Sequence, residues 1–300
     1  MNVIVAGGRG LLGSYLRKEF SDWKFLSLGR SEGNDIVCDL KAETPSLPQG
    51  LHPDLVIHAA GTEEPEEAFE LNLEGTKNLL KGLESAVPSH FVYVSSWQVY
   101  SPDAGENVDE ELHTWAAGDA GKSKAQAELA VEKWCQEHGV QFTIVRPATM
   151  FGSGMKGWAH RMFNDVIANR YIAIRGEEGK LSTVMAIDVA RAIRKLYEHG
   201  GIYNLSDGAA STYLELAEAM SANAGNMKRL THLPPKWADF FYHFARMVPW
   251  VRYVLNPDKL ALRNKTMTLS NAKALEKGCS FHDVKKVLRH EEDTYPYQDS

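Results

Sequence analysis

Three glycines near the start of the chain fall in the run Gly7-Gly8-Arg9-Gly10-Leu11-Leu12-Gly13, a GxxGxxG spacing. Before it stands a short apolar run, Val3-Ile4-Val5-Ala6; after it Leu12, Tyr15, Leu16 and Phe20 recur at helical spacing. Glycine permits positive φ and lets backbone come close to a ligand. A helix that starts at such a loop turns N–H groups and the positive end of its dipole toward an anion. These residues suit the holding of a pyrophosphate, and the strand–turn–helix context separates that reading from a bare glycine turn.

A second concentration of chemistry lies late in the chain. Trp237, Phe240, Phe241, Tyr242, Phe244, Trp250 and Tyr253 are interleaved with Asp239, His243, Arg246 and Arg252, and Lys228 to Lys265 holds eight Lys/Arg against two Asp. An aromatic stripe of this kind packs onto a core, or forms a pocket with Arg246, Arg252 or Arg263 on a diphosphate, or touches a membrane surface as a basic amphipathic helix. Pro249 would interrupt a continuous helix and weakens the last reading. The run Glu63, Glu64, Glu66, Glu67, Glu70, Glu74 reads as a solvated helix face.

The elements that must position these residues alternate. Strands are expected at Val3–Ala6, Phe25–Leu28, Leu55–His58, Phe91–Val94 and Phe142–Val145, with helices over about Glu66–Ser85 and Ala120–His138, the latter stopped by Gly139. Strand–helix alternation means βαβ crossovers and a parallel sheet covered on both faces. Beyond Arg146-Pro147 the rhythm changes: helices near 158–169, 188–199 and 213–223 are separated by short strands such as Ile202–Leu205. The expected architecture is an α/β chain, a doubly wound Rossmann domain over 1–150 and a smaller mixed α/β substrate lobe over 151–300, partly interleaved with the sheet.

Composition narrows the function classes. In 300 residues, 44% are hydrophobic and 24% charged, ordinary for a globular domain and foreign to a disordered chain, a collagen or a coiled coil. A net charge of −6 gives no global basic field for nucleic acid. Cys38, Cys135 and Cys279 are odd in number and widely spaced, which fits neither a disulfide framework nor a metal knuckle, so a cytoplasmic setting is expected. No leader is expected from the opening MNVIVAGG, nor a spanning helix from any apolar run.

Beyond the glycine loop the chain resembles the extended short-chain dehydrogenase/reductase family, in its NAD(P)-dependent epimerase/dehydratase branch. The resemblance rests on His58-Ala59-Ala60-Gly61 after the fourth strand, Val37-Cys38-Asp39-Leu40, and the helix Asn72-Leu73-Glu74-Gly75-Thr76-Lys77-Asn78-Leu79-Leu80. Arg146-Pro147, Ile187-Asp188-Val189-Ala190 and Tyr203-Asn204-Leu205 extend it. It implies a dinucleotide bound by Gly7, Arg9, Gly10, Leu11, Leu12, Gly13, Arg30, Ser31, Asp39, Leu40, His58, Ala59, Ala60, Gly61, Lys124, Arg146 and Pro147. It also implies a small-molecule substrate and a homodimer formed through the helices near 72–83 and 120–134.

Cofactor choice turns on the end of the second strand, where NAD-selective sites carry an acid. Here the strand runs Leu28-Gly29-Arg30-Ser31. Arg30 could pair with a 2′-phosphate and Ser31 could donate to it, which favours NADP and leaves NAD second.

The same resemblance assigns a serine, a tyrosine and a lysine to acid–base work. Val94-Ser95-Ser96-Trp97-Gln98-Val99-Tyr100 places Ser96 at the serine position, and Gly121-Lys122-Ser123-Lys124-Ala125-Gln126-Ala127-Glu128 makes Lys124 the lysine. The tyrosine belongs four residues before the lysine, where the residue is Ala120. Three readings follow: an atypical oxidoreductase, epimerase or dehydratase with another acid, such as Tyr100, His113 or Asp119; a non-catalytic NADP-binding sensor or scaffold; or an engineered change at position 120.

Overall fold

In the computed structural model, residues 1–174, 178–223, 230–233 and 264–291 are described. The chain begins with β1 (Asn2–Ala6), α1 (Leu11–Glu19), β2 (Lys24–Gly29), β3 (Ile36–Val37) and β4 (Leu55–His58). A helical stretch follows, α2 (Pro65–Ala68) and α3 (Gly75–Leu83), joined by a π-helical turn over Phe69–Glu74. Next come β5 (His90–Val94), a 3₁₀ turn at Trp97–Val99, β6 (Gly105–Val108), α4 (Asp119–His138), β7 (Gln141–Pro147) and β8 (Thr149–Phe151). The rest comprises α5 (Gly157–Ile167), β9 (Ile172–Ile174), β10 (Lys180–Met185), α6 (Ala186–Leu196), β11 (Gly201–Leu205), β12 (Ala210–Thr212), α7 (Tyr213–Asn223), β13 (Thr231–Leu233), β14 (Met267–Leu269), α8 (Ala272–Glu276) and α9 (Val284–Leu288).

The main sheet has seven strands in the order β11-β7-β5-β4-β1-β2-β3. All six pairings are parallel. The apolar run in β1 explains its central place: Val3, Ile4, Val5 and Ala6 are wholly buried because both faces are covered. Alternation along the strand sorts them. Val3 and Val5 join Leu12 and Leu16 of α1 and Ile193 of α6 on one face. Ile4 and Ala6 join Leu79 of α3 and Val131 of α4 on the other. This is the expected doubly wound Rossmann sheet.

The strand order reverses direction between β1 and β4, where β2 and β3 lie to one side and β5, β7 and β11 to the other. Ligands of open α/β sheets bind in the crevice beyond the strand ends at such a point. Here the two strand ends deliver Gly7 and Ala59.

A smaller sheet, β12-β10-β14-β6 with β8 also paired to β10, mixes parallel and antiparallel pairs. A separate apolar cluster built from Phe151, Met162, Val166, Leu216 and Met220 packs beside it. The strand β6 is drawn from the first half of the chain, which the sequence rhythm did not indicate. Its backbone pairs with β14, more than 150 positions later by number, and no local pattern announces such a partner.

Candidate active site

The glycine loop is shaped by contacts that leave no room for side chains. Gly7 has φ +82°, and a Cβ there would stand 2.8 Å from the backbone of Ala59 and Ala60. A Cβ at Gly13 would come 2.3 Å from the Gly7 carbonyl oxygen, so α1 presses end-on into the loop. Gly10 caps α1 with extended backbone and offers no side-chain cap, and no acid occupies the first turn. The start of the helix is therefore free to receive an anion. These features fit a dinucleotide pyrophosphate. Leu11 and Leu12 would contribute backbone only; Leu12 is itself core.

The Gly7 N–H donates to the Leu28 carbonyl at 2.9 Å, which holds the loop beside the end of β2. Arg9 reaches across: its Nη1 donates to the Glu32 carbonyl at 3.3 Å, close over Gly33. Arg30 and Ser31 are exposed next to it. The Asp35 carboxylate of this loop turns inward, accepting from the Ser27 N–H at 2.8 Å and the Ser27 hydroxyl at 2.7 Å. Those two bonds hold its carboxyl below the ordinary aspartate range.

On the other side of the crevice, His58 is buried and its Nε2 lies 2.9 Å from Thr76 Oγ1. Since that hydroxyl donates to the Asn72 carbonyl at 2.5 Å, Nε2 must carry the proton. Burial, with a lesser push from Lys124, drives the imidazole down to about 3, so it is neutral at physiological pH. Whatever His58 offers a ligand is backbone. Ala59 and Ala60 are half-buried beside the glycine loop, and Gly61 borders Lys124 and Asn72.

Helix α4 carries Ala120, Lys124 and Glu128 at four-residue steps, all buried and on one face. Its start packs tightly on the 3₁₀ turn, where a Cβ at Gly121 would sit 2.0 Å from the Gln98 carbonyl oxygen. That approach brings Ala120 and Lys124 to the turn that Ser96 opens, Ser96 accepting the Gln98 N–H at 3.2 Å. The neighbouring Ser95 Oγ is buried with no hydrogen-bond partner among the described residues. Lys124 Nζ donates to the Val94 carbonyl at 3.3 Å and lies 5.8 Å from the centre of the Tyr93 ring. Burial lowers the ammonium to about 8, against the pull of Glu63 and Glu128.

Asn72 is the organiser that sequence reasoning passed over. The π-helical turn sets it inward, where it accepts the Thr62 N–H at 2.9 Å and donates to the Thr62 carbonyl and the Ser123 hydroxyl, each at 3.0 Å. It thus ties the loop after β4 to α4. Its place at the head of the Asn72–Leu80 motif was the available signal, and π turns often mark functional sites.

Other expected residues make contacts within the fold. The Arg146 side chain is spent on Glu128, at 2.6 and 3.0 Å, and on the Tyr100 hydroxyl at 2.7 Å, so the Arg146-Pro147 segment has only backbone to offer. Tyr100 in turn donates to Asn204 Oδ1 at 3.0 Å and sits in the core. Asp39 accepts the Lys41 N–H at 3.1 Å, and the Leu40 carbonyl accepts Asn78 Nδ2 at 2.8 Å, both beyond β3. His113 and Asp119 are exposed in the segment leading into α4. Arg246, Arg252, Arg263 and the aromatic run around them lie outside the described residues.

A family profile described as the NAD dependent epimerase/dehydratase family matches residues 3–206. The chain belongs to this family. It is 31% identical over 194 residues to the GDP-6-deoxy-D-mannose reductase of Pseudomonas aeruginosa, a match covering 56% of this chain and 62% of that one. The chain thus answers to less than two thirds of that relative's length. Two solved structures share the fold across nearly the whole chain. The UDP-N-acetylglucosamine 4-epimerase from Bacillus cereus has a TM-score of 0.75 at 19% identity, covering 97% of this chain and 94% of that one. RMD from Pseudomonas aeruginosa, complexed with NADPH, has a TM-score of 0.72 at 22% identity, covering 96% of each. Members of the family are NAD(P)-dependent epimerases, dehydratases and reductases. No helix among the described residues of this epimerase/dehydratase family member is long and apolar enough to cross a membrane.

Proposed function

We propose that this chain is an NADP-dependent oxidoreductase, epimerase or dehydratase acting at a hydroxyl- or keto-bearing carbon of a sugar nucleotide or related small molecule. The observation that carries the reading is the meeting, at the sheet's switch point, of the glycine cradle, the His58–Gly61 turn and the buried Lys124. When bound, the dinucleotide supplies or accepts the hydride at the substrate carbon.

The chain's own residues do the rest. Gly7, Gly10 and Gly13 admit the pyrophosphate, and Arg9, Arg30 and Ser31 supply donors suited to a 2′-phosphate. Lys124 holds the ribose, and Ser96 orients the substrate oxygen. Residues beyond 150 form the substrate side of the cleft. The substrate class is supported by relatives named for GDP- and UDP-linked sugars. A homodimer through α3 and α4 belongs to the same reading, consistent with Leu129 standing 66% exposed on α4.

Position 120 sets the limit. A phenol held there by a neighbouring ammonium would exchange the proton that accompanies the hydride, and alanine cannot. General acid–base catalysis contributes about 10²–10⁴-fold, so turnover depends on another proton source. The test is NADPH consumption with GDP-, UDP- and dTDP-linked keto sugars. Turnover that needs Ser96 and Lys124 supports an enzyme. Tight NADPH binding without turnover on any of them favours the second reading, a non-catalytic NADP-binding sensor or scaffold, which Ala120 itself suggests.

A further inference from the structure

With alanine at position 120, the proton carrier must come from the other titratable groups near Lys124. Tyr100 is locked between Arg146 and Asn204 in the core. Tyr93 is buried to 1% exposure on the inner side of β5. Glu128 is held by the Arg146 guanidinium through two hydrogen bonds. His58 is buried against Thr76. Among the described residues one exposed acid whose charge acts on Lys124 stands outside these pairings: Glu63, two residues after the Gly61 backbone that borders the Lys124 ammonium.

Its placement separates it from the acidic run in which the sequence put it. Glu67 of that run pairs with Lys41 at 3.1 Å and Glu74 with Lys77 at 2.7 Å, as members of a solvated face do. Glu63 instead precedes the helix and crosses toward the second lobe. A Cβ at Gly157, the first residue of α5, would stand 3.2 Å from Glu63 Oε2. The carboxylate of this residue, in the loop after β4, therefore lies against the start of α5.

We propose that Glu63 supplies and retrieves the proton that the residue at position 120 cannot. The inference rests on the reading above and names its missing proton carrier. In the reducing direction the carbonyl carbon gains the hydride from NADPH, and the C=O π bond breaks toward oxygen. That oxygen takes the proton of the Glu63 acid, leaving a Glu63 carboxylate that solvent reprotonates. The oxidising direction is the reverse. The charges of Lys124 of α4 and Arg161 of α5 favour the anion, and Glu64 of its own loop disfavours it; the N-terminus of α5 at Gly157, against which the carboxylate lies, favours it. Glu63 keeps access to solvent, yet partial withdrawal of its carboxyl from water outweighs the two cations and raises its pKa above the ordinary glutamate range, in the direction that suits an acid.

The coupling has a readout that needs no turnover. The oxidised nicotinamide carries a positive charge that the reduced ring lacks, so a nearby carboxyl releases protons when NADP⁺ binds relative to NADPH. Calorimetric titrations of the full chain in buffers of different ionisation heat, at pH 5 to 6.5, measure this. Lys124, at about 8, stays mostly protonated there, and the part of the difference that disappears in Glu63→Gln is the carboxyl's. The expected result is a difference in proton release between the two cofactors that disappears in Glu63→Gln, while NADPH affinity stays within about threefold of the unmutated chain. Glu63→Asp should keep part of it. With a keto sugar nucleotide that the chain reduces, Glu63→Gln should lower kcat by the roughly 10²–10⁴-fold of a lost general acid, with little change in KM. An unchanged proton difference in Glu63→Gln overturns the assignment of Glu63 and leaves the dinucleotide site standing. Failure of either cofactor to bind the unmutated chain overturns both.

Discussion

Replacing Glu128 with glutamine should destabilise the fold more than any exposed substitution and should loosen the site. Glu128 and Arg146 side chains are 7% and 4% exposed and joined by two bonds of 2.6 and 3.0 Å. The glutamine is isosteric, so little packing is lost and its amide oxygen can still accept one bond, but the guanidinium is left buried without a counter-charge, beside the Tyr100 hydroxyl at 2.7 Å. Breaking a buried pair by removing one partner costs about 3–5 kcal/mol, a large share of the roughly 5–15 kcal/mol that domains possess. Urea unfolding followed by tryptophan fluorescence and by circular dichroism gives the loss. Replacing both partners, Glu128→Leu with Arg146→Met, should cost less than Glu128→Gln alone, because no charge is stranded. A loss below about 1 kcal/mol in Glu128→Gln, or a double variant worse than the single one, would refute the assignment of this pair as the anchor of α4 to β7.

Other perturbations separate the site from its scaffold. Gly10→Val should abolish dinucleotide binding while the chain stays folded, since a Cβ at Gly10 meets only the Gly7 carbonyl oxygen, at 3.2 Å, on backbone that L residues adopt; circular dichroism beside calorimetry checks both halves. Ala120→Tyr should raise turnover of a competent substrate by at most roughly 10²–10⁴-fold and add an ionisation below that of free tyrosine, because Lys124 is a nearby cation; a pH–rate profile identical to that of the unmutated chain would count against a site still shaped for a phenol. Burial holds Lys124 at about 8, below the ordinary lysine value of 10.5, so the unfolded chain binds more protons between those limits and stability should rise with pH across that window. Denaturant midpoints for Lys124→Met should lose that rise.

Much of the main sheet was legible in the residues. The apolar runs at 3–6, 25–28, 55–58 and 91–94 all became parallel strands, buried throughout except at Phe25 and Leu26, and helix α4 ends where Gly139 stands. The glycine spacing pointed to a loop whose crowding the fold displays. What local patterns could not supply was long-range pairing. The resemblance put Arg146 and Pro147 at the cofactor, yet Glu128, one turn beyond Lys124, claims the guanidinium across the sheet–helix interface. The pairing of β6 with β14 joins segments with no shared periodicity. Asn72 turns inward only because the helix takes a π turn there, which apolar spacing does not encode. Glu63 lay in an acidic run that composition alone reads as solvated, and only its approach to Gly157 sets it apart.

The central claim is a dinucleotide site at the switch point that prefers the phosphorylated cofactor. Parallel titrations of the purified full chain with NADPH and NADH, followed by nicotinamide fluorescence, test it most directly. The account predicts saturable binding of both with NADPH the tighter, and Arg30→Ala should erase most of that gap, because a charge-assisted bond to the 2′-phosphate is lost. Equal affinities in the unmutated chain would contradict the preference, and no binding of either would contradict the site.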